Sequence, residues 1–361
     1  TKGDFSLFHF KTICMKKTLK QVTGIDVAKD ELVVCQGHLY EDLSIELFAH
    51  KAFPNTKKGF ESLVKWVEKS GTPGRFVMEA TGVYFESLAY YLADHNYQVS
   101  VVLPNKISNY FRTLSVKTIT DKTASEAITQ FGLERNLGNW EAPKGIYRKL
   151  RQLTRERGQV VETRTVAKNQ LHAEKSEAYP NASSLVRIKK LIAFLDRQEA
   201  EIREELKRLL KEDPEMKQIL VVLCSLSGIG LLTAATVLAE TNGFNLIRNK
   251  RQLTSYAGLD VREKQSGTSV KGKPRISKKG NKYLRRAMHL PALAAIRHDK
   301  RFKSVFVRLV SKHGIKMKAV VAVQRKLLEL MFTLFKNQTT YDKNFFKPAE
   351  EKTNEQTPIK G

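Results

Sequence analysis

The chain has 361 residues, enough for two or three domains with cores of their own. It carries 63 Lys and Arg against 37 Asp and Glu, a formal net charge of +26 that predicts a polyanionic partner. Its longest apolar runs, such as residues 219–223, are far too short to cross a bilayer, so nucleic acid is favoured over lipid. Three scattered cysteines (Cys14, Cys35 and Cys224) support neither a disulfide framework nor a zinc site, and the sequence is typical of a reduced, cytosolic protein.

The first predicted domain covers residues 18–143. Because Met15-Lys16-Lys17 resembles a natural start, we treat residues 1–17 as an extension. Strands are predicted at 21–27, 31–37, 43–48, 75–78 and 98–103, and helices at 57–69, at 83–95 and from Thr120 onward. Three strands in a row, followed by alternating helices and strands, are the order of a ribonuclease H-like domain with a mixed sheet covered by helices.

Three carboxylates occupy matching positions in this domain. Asp26 ends the first strand, Glu79 ends the fourth, and Asp121 opens the last helix. Converging carboxylates repel one another unless they share cations, and two cations about 4 Å apart can clamp the attacking and leaving oxygens of phosphoryl transfer. The pattern therefore predicts a metal site, although each acid taken alone also suits an ordinary turn or helix cap.

Residues 144–214 change character, because apolar residues recur at helical spacing among dense charges of both signs. A break near Pro180 separates two such runs; Ser183 or Ser184 is expected to cap the second, and Pro214 to end it. The pattern predicts an antiparallel helical hairpin that resembles a coiled coil. Such a hairpin suits dimerisation, and it suits equally well a solvated pair of helices that only spaces the flanking domains.

Residues 215–340 are interpreted as a compact basic domain, and residues 341–361 as a polar tail. The segment Leu-Ser-Gly-Ile-Gly at 226–230 precedes a helix of small residues and is typical of a helix-hairpin-helix motif. Glycines there let the backbone approach a phosphate, towards which the N–H groups of the next helix point. We expect DNA-backbone contacts from Ser227, Gly228 and Gly230; the alternative is an ordinary glycine-containing junction between helices.

A basic loop follows at residues 262–286, with ten Lys or Arg and one acid. Such a loop neutralises phosphates, so its affinity for nucleic acid should fall steeply with salt. Nine of its side chains are predicted to contact nucleic acid: Arg262, Lys271, Lys273, Arg275, Lys278, Lys279, Lys282, Arg285 and Arg286. The loop also contains Ser266, whose hydroxyl, surrounded by cations, could attack a phosphodiester; a serine beside a glycine is more often only a loop residue.

Taken together, these motifs resemble the DEDD transposases of bacterial insertion sequences, relatives of the Piv-type DNA invertases. The resemblance covers about residues 18–340. It rests on six segments in the family's order: GIDVAKDELVV, VMEATGVY, TDKTASEAI, SLSGIGLLTAATVLAE, QLTSYAGL and the basic loop ending in ISKKGNKYLRR. It implies an RNase H/RuvC-like N-terminal domain, a coiled-coil hairpin and a mostly helical C-terminal transposase domain.

The resemblance also implies a mechanism, in which a recombinase moves an insertion sequence by means of a bridge RNA whose loops pair with donor and target DNA. Asp26, Glu79 and Asp121 would bind Mg²⁺ and act in catalysis. Ser266 would form a covalent phosphoserine link that keeps the energy of the phosphodiester, so that no ATP is needed. Dimers would assemble into a tetramer in which the acids of one protomer meet the serine of another.

One position departs from the family pattern, which has a fourth acid three residues after Asp121 on the same helical face. Here that position is Ala124, and Glu126 lies in the wrong direction to replace it. The missing carboxylate is expected to weaken cation binding and strand cleavage while nucleic-acid binding survives. Two rival interpretations stay open: a RuvC-like structure-selective nuclease or resolvase, which has no need of Ser266, and a non-catalytic nucleic-acid scaffold, which Ala124 favours.

Overall fold

The computed structural model describes residues 16–71, 74–114, 118, 120–263, 265–266, 270–271 and 275–342. For residues 265–266 and 270–271 it describes the backbone alone. Residues 1–15 of the expected extension and 343–361 of the expected tail lie outside the described residues. The chain folds as two units, Thr1–Ala142 and Pro143–Gly361. None of the helices in the described ranges has the length and apolar character needed to cross a membrane.

The first unit combines a sheet with four helices. Its elements, in chain order, are β1 (Thr18–Val27), β2 (Glu31–Tyr40), β3 (Ile45–Pro54), α1 (Lys57–Glu68), β4 (Arg75–Glu79), α2 (Glu86–Asp94), β5 (Val99–Val102), α3 (Pro104–Phe111) and α4 (Asp121–Glu134). The strands lie in the order β3-β2-β1-β4-β5. Strands β1, β2 and β3 pair antiparallel, whereas β4 pairs parallel with both β1 and β5. The predicted mixed α/β class is confirmed for this unit.

Each face of this sheet carries a core of its own, because successive side chains of a strand point to opposite faces. Ile25, Phe76 and Met78 pack in one core with residues of α1 and α2. Val22 and Val77 pack in the other core with residues of α3 and α4. The sheet is therefore covered on both sides, and α4 lies on the face opposite to α1.

Several boundaries in this unit differ from the prediction, most of all in β3, which ends at Pro54 rather than at residue 48. Strand β3 begins at Ile45 rather than at Leu43, because Leu43 has a left-handed φ of 62° in the preceding turn. The predicted strand at 98–103 ends at Val102, and Pro104 then occupies the first turn of α3, a helix that was not among the predicted elements. Proline suits that position because the first N–H groups of a helix have no partner within the helix.

The second unit is mainly helical. Its helices are α5 (Gly145–Lys175), α6 (Ala182–Glu212), α7 (Pro214–Cys224), α8 (Leu231–Thr241), α9 (Lys250–Tyr256), α10 (Lys282–Ala287), α11 (His289–His298), α12 (Lys300–His313) and α13 (Lys316–Asn337). Between α9 and α10 lie four two-residue strands, β6 (Val261–Arg262), β7 (Gln265–Ser266), β8 (Val270–Lys271) and β9 (Arg275–Ile276).

Helices α5 and α6 pack against each other as a hairpin of two 31-residue helices. The cap of α6 differs from the prediction: the Asn181 side chain, not Ser183 or Ser184, caps this helix by accepting hydrogen bonds from the backbone N–H groups of both serines. Pro214 lies beyond the end of α6 and begins α7.

One hydrophobic core joins the base of the hairpin to the C-terminal helices. Leu150 of α5 and Leu206 of α6 belong to the same cluster as residues of α7, α8 and α13. Tyr341 was assigned to the polar tail, but its backbone N–H donates to the Ser225 hydroxyl and its own hydroxyl donates to Asp299. The ordered fold therefore continues at least to this tyrosine.

Candidate catalytic and nucleic-acid-binding site

Asp26 and Glu79 lie at the ends of two adjacent strands. The parallel register of β1 and β4 pairs Ile25 with Met78, so the acids that follow these residues lie at the same end of the sheet. Ile25 and Met78 face α1 and α2. The alternation along each strand therefore directs both acids towards the opposite face, where α4 packs.

Asp121 is brought to this end of the sheet by the start of α4. The Thr120 hydroxyl accepts a hydrogen bond from the Thr123 N–H, and the Thr123 hydroxyl accepts one from the Thr120 N–H, so a capping box fixes where the helix begins. The predicted start near Thr120 is confirmed.

Close contact between α4 and β1 depends on Gly24. A Cβ atom at this position would lie 2.3 Å from the Thr129 hydroxyl and 2.8 Å from the Ser125 carbonyl oxygen. Only a residue without a side chain allows the helix to lie this near the strand. Gly24 thus helps to place the N-terminus of α4, and with it Asp121, beside the ends of β1 and β4.

The electrostatics of the three acids reflect this arrangement. Burial raises the pKa of Asp26 to about 6, and the negative charges of Asp121 and Glu79 add to the increase. The pKa of Glu79 is also raised, mainly by burial, while a hydrogen bond from Thr81 acts in the opposite direction. Within the described residues, no Lys, Arg or His forms an ion pair with any of the three. The site therefore holds negative charge that is not compensated by these residues.

This donor set fits a hard divalent cation, which prefers carboxylate oxygens as ligands. As the side chains stand, the described residues contain no group of three or more His, Cys, Asp or Glu close enough together to hold a metal ion. A cation would therefore have to draw the carboxylates of Asp26, Glu79 and Asp121 towards one another.

The fourth position of the expected acid set is Ala124, in the first turns of α4. The carboxylate of Glu126, further along the helix, lies 3.0 Å from the ring nitrogen Nε2 of His50 in β3. Because β2 and β1 separate β3 from β4 in the sheet, this carboxylate is directed away from Glu79. The structure thus gives a physical reason why Glu126 is not a replacement for the missing acid.

Ser266 lies in the second unit, in the short strand β7. Its backbone pairs antiparallel with Val270 of β8. Its side chain lies outside the described residues, and so do the side chain of Lys271 and the whole of Lys273. The proposed nucleophilic role of Ser266 therefore stays a prediction.

The stem of this basic loop is held firmly. Strands β6 and β9 pair across it, and Ser277 donates its backbone N–H to the Asp260 carbonyl oxygen and its hydroxyl to the Asp260 carboxylate. At Gly280, a Cβ atom would lie 2.4 Å from the carbonyl oxygen of Tyr256. The chain enters and leaves the loop from fixed positions.

The predicted basic contacts divide into two groups. Five side chains are exposed and have no ion pair among the described residues: Arg262, Arg275, Lys278, Lys279 and Lys282. Arg285 instead donates to the Ala257 carbonyl oxygen, and Arg286 forms an ion pair with Glu162 of α5. These two arginines therefore have structural contacts within this unit.

The glycines of the helix junction between α7 and α8 also differ from each other. At Gly228, where φ is 89°, a Cβ atom would lie 2.4 Å from the Pro291 carbonyl oxygen, so this glycine serves packing against α11. At Gly230, which precedes α8, a Cβ atom would meet nothing within 4 Å. The Ser227 hydroxyl is buried without a hydrogen-bond partner among the described groups. Of the two glycines, Gly230 thus offers the open backbone that a phosphate contact requires.

Glu240 at the end of α8 is a residue that the motifs did not single out. Its carboxylate accepts two hydrogen bonds from Arg155 of α5, at 2.8 and 2.9 Å, and one of 2.6 Å from the Asn281 amide. The Glu240 side chain is 1% exposed, and Arg155 also lies over the ring of Tyr283. The sequence contained one indication of this role, because Glu240 is the only acid in the otherwise largely apolar helix α8. Glu240 connects the hairpin to the segment that ends the basic loop.

Comparison with known proteins assigns both units to one family. A DEDD transposase model of the IS110 type matches residues 23–180, and a model described as "Transposase IS116/IS110/IS902 family" matches residues 221–306. The "Pilin gene-inverting protein" of Moraxella bovis is 26% identical over 328 residues, which cover 90% of this chain and 98% of that protein. The "Transposase for insertion sequence element IS1111A" of Coxiella burnetii is 32% identical over 156 residues, 41% of each chain.

Among solved structures, RuvC of Thermus thermophilus in complex with a Holliday junction substrate aligns with a TM-score of 0.27 and 11% identity, over 33% of this chain and 99% of that one. The assignment to a family rests on the sequence matches, which follow each other along both units. The chain belongs to the IS110 family of DEDD transposases.

Proposed function

We propose that this protein is an RNA-guided DNA recombinase of an insertion sequence, which cuts and rejoins strands with the acids of its first unit and Ser266 of its second. The observation that carries the proposal is that Asp26, Glu79 and Asp121 lie near one another in a member of a transposase family. The negative charges of Glu79 and Asp121 contribute to the raised pKa of Asp26. Relatives named for gene inversion and for transposition support breakage that is coupled to rejoining.

Asp26, Glu79 and Asp121 would hold the divalent cation, which we propose to be Mg²⁺. A cation bound there stabilises negative charge that develops on the scissile phosphate. The sheet order β3-β2-β1-β4-β5, with α4 across one face, supports an RNase H/RuvC-like architecture for this unit. Gly24 and the Thr120 cap fix the N-terminus of α4 against β1. In this proposal, the carboxylates of Asp26, Glu79 and Asp121 then face the same phosphate.

In the proposed reaction, the Ser266 hydroxyl oxygen attacks phosphorus and a new Oγ–P bond forms. The bond from phosphorus to one deoxyribose oxygen breaks, the hydroxyl loses its proton, and the departing sugar oxygen gains one. One phosphoester replaces another, so the reverse attack by a second DNA strand rejoins the chain without ATP. Cations of the basic loop, including Arg262 and Arg275, would stabilise the developing negative charge.

A structured bridge RNA and two DNA duplexes, donor and target, are the proposed partners. A net charge of +26 and the exposed cations of the loop support binding to polyanions. We propose that dimers assemble into tetramers in which the serine of one protomer meets the acids of another. A structured RNA should bind more tightly than a scrambled RNA of equal length, since RNA is recognised by its shape and single-stranded elements. Equal affinity at physiological salt would contradict guidance by RNA.

Ala124 favours a second function, that of a non-catalytic nucleic-acid-binding scaffold. The decisive experiment uses labelled DNA with the unaltered protein and with Ala124→Asp on a denaturing gel. Restoring the acid should raise the amount of covalent protein–DNA adduct, and adding Ser266→Ala should abolish the adduct while RNA binding stays.

The controls separate the alternatives. Cleavage without an adduct would indicate a resolvase that uses water, and no cleavage in the Ala124→Asp protein would indicate a scaffold. An adduct that persists in Ser266→Ala and maps to Ser269 or Tyr256 would overturn the choice of nucleophile. In the Ala124→Asp background, mixing Ser266→Ala chains with Asp26→Ala chains should restore part of the activity if sites form between protomers.

A further inference from the structure

A long stretch of the second unit carries positive charge with no acid. Between residues 300 and 328 the sequence has nine Lys or Arg and no Asp or Glu. Of the nine, only Arg325 forms an ion pair within the described residues, with Glu329. The positive charge here is compensated far less than in the hairpin, where Glu199 pairs with Arg157 and Arg203.

This charge is concentrated on the outer face of α12. Phe302 is fully buried in the core, and Val305 and Phe306 pack against it, so the opposite side of the helix faces solvent. The solvent side carries eight exposed residues, five of them basic: Lys300, Arg301, Lys303, Ser304, Val307, Arg308, Ser311 and Lys312. We call this surface the α12 basic face.

We propose that the α12 basic face binds the phosphodiester backbone of duplex DNA. The inference deepens the proposed function, on which it rests for the identity of the nucleic acid. It assigns a second DNA-binding surface, beyond the basic loop that ends at Arg286. The second half of α12, residues 307–313, also lies outside the region that the transposase models match.

The geometry favours a duplex over a single strand. From Lys300 to Lys312 the helix extends about 18 Å, a straight and rigid row of cations that suits a stiff duplex with its regular phosphates. Proteins that hold single strands present aromatic side chains on which bases stack. The α12 basic face has no exposed aromatic residue.

The chemistry of the face favours contact with the backbone over base reading. It carries no Asn, Gln, Asp or Glu, the residue types that read adenine and cytosine in the major groove. Its lysines, arginines and serines are typical phosphate contacts. Binding through this face should therefore depend strongly on salt, and guanine is the one base that its arginines and lysines are suited to read.

The test measures binding of a labelled random-sequence duplex by fluorescence anisotropy in EDTA, where cleavage does not interfere. The variant combines Lys303→Gln, Arg308→Gln and Lys312→Gln, and leaves Arg301, which contacts Tyr341, unchanged. The control combines Lys57→Gln, Lys58→Gln and Lys65→Gln, three exposed lysines of α1 whose loss changes the net charge equally.

Each of the three substitutions removes one cation from a DNA phosphate and should weaken binding about fivefold at 0.15 M salt, so that together they weaken it about 100-fold. The slope of log affinity against log salt should also become shallower by about 3. The α1 control should retain most of the affinity. Circular dichroism checks that the α12 variant is folded.

Three results would overturn the proposal: an affinity within twofold of the unaltered protein, an equal loss in the α1 control, or a loss for RNA with none for duplex DNA. The anisotropy measurement of DNA binding does not require that a covalent protein–DNA adduct form. If Ser266→Ala leaves cleavage unchanged while the α12 variant loses DNA affinity, the serine mechanism falls and the binding surface stands.

Discussion

The charge of Asp26 should cost the metal-free protein stability at neutral pH. Its pKa rises from an ordinary value of 3.8 to about 6, because the carboxylate is partly buried and lies near Asp121 and Glu79. That change corresponds to at most about 3 kcal/mol, and solvent screening at this partly exposed group reduces it to about 1–2 kcal/mol. Replacing Asp26 by Asn removes the charge and should stabilise the metal-free protein by this amount.

The pH dependence follows from the direction of the pKa change. The folded state binds the Asp26 proton more tightly than the unfolded state does, so the contribution of this proton to stability is full below pH 4. It is lost as the pH rises through about 6. At pH 5 the advantage of Asp26→Asn over the unaltered protein should be about half of that at pH 7.5.

The assay is urea unfolding in EDTA at both pH values, with the midpoint and its slope compared between proteins. The matched control is Asp30→Asn, on the turn that follows β1. It replaces the same carboxylate by the same amide, but at an exposed position. Adding Mg²⁺ at pH 7.5 should then stabilise the unaltered protein and not Asp26→Asn. A cation that binds only the folded state stabilises it by mass action.

The reasoning is refuted if Asp26→Asn destabilises the metal-free protein at pH 7.5, or if its effect is the same at pH 5. Either result would mean that the carboxylate is compensated by groups that this arrangement does not contain. A Mg²⁺ effect that persists in Asp26→Asn would leave the electrostatics intact and remove this residue from the metal site.

Two further predictions concern the packing of each unit. Gly24→Ala should lower the free energy of unfolding by about 1–3 kcal/mol in urea denaturation, because its Cβ atom would meet the backbone of α4, whereas Gly138→Ala, where a Cβ atom meets nothing within 4 Å, should change it little. Glu240→Ala should cost about 2–4 kcal/mol, since it leaves Arg155 without its partner, while Glu204→Ala on the hairpin surface should cost less than about 1 kcal/mol. Equal effects of the two glycine changes, or of the two glutamate changes, would contradict the respective prediction.

The sequence predicted all five strands of the first unit, because each contains a run of apolar or β-branched residues near turn residues. The ten-residue strands β1, β2 and β3 extend beyond their predicted limits. It also identified Asp26 and Glu79 as residues at strand ends, and the structure pairs these two strands in parallel. The start of α4 was predictable from Thr120, whose hydroxyl suits a cap. These features depend on local pattern, which a single sequence carries.

The features that the sequence did not reveal depend on contacts between distant segments. Gly228 has the same signal as Gly230 in the sequence, but α11 occupies the space beside the first glycine alone. Arg285 looks like any other cation of the basic loop, although it holds a carbonyl oxygen of the segment after α9. Glu240 forms its main hydrogen bonds with a residue 85 positions earlier, a distance that no local pattern spans.

The missing acid and the basic loop belong to different parts of the molecule. Ala124 removes a carboxylate at the start of α4, yet the cap and the packing of this helix depend on Thr120 and Gly24, which are unaffected. In the second unit, the stem of the basic loop is fixed by contacts of its own, among them the pair of Ser277 with Asp260. Loss of the fourth acid should therefore reduce metal-dependent cleavage without loosening the surfaces that bind nucleic acid. This separation is why binding in EDTA and adduct formation in the Ala124→Asp protein test independent parts of the proposal.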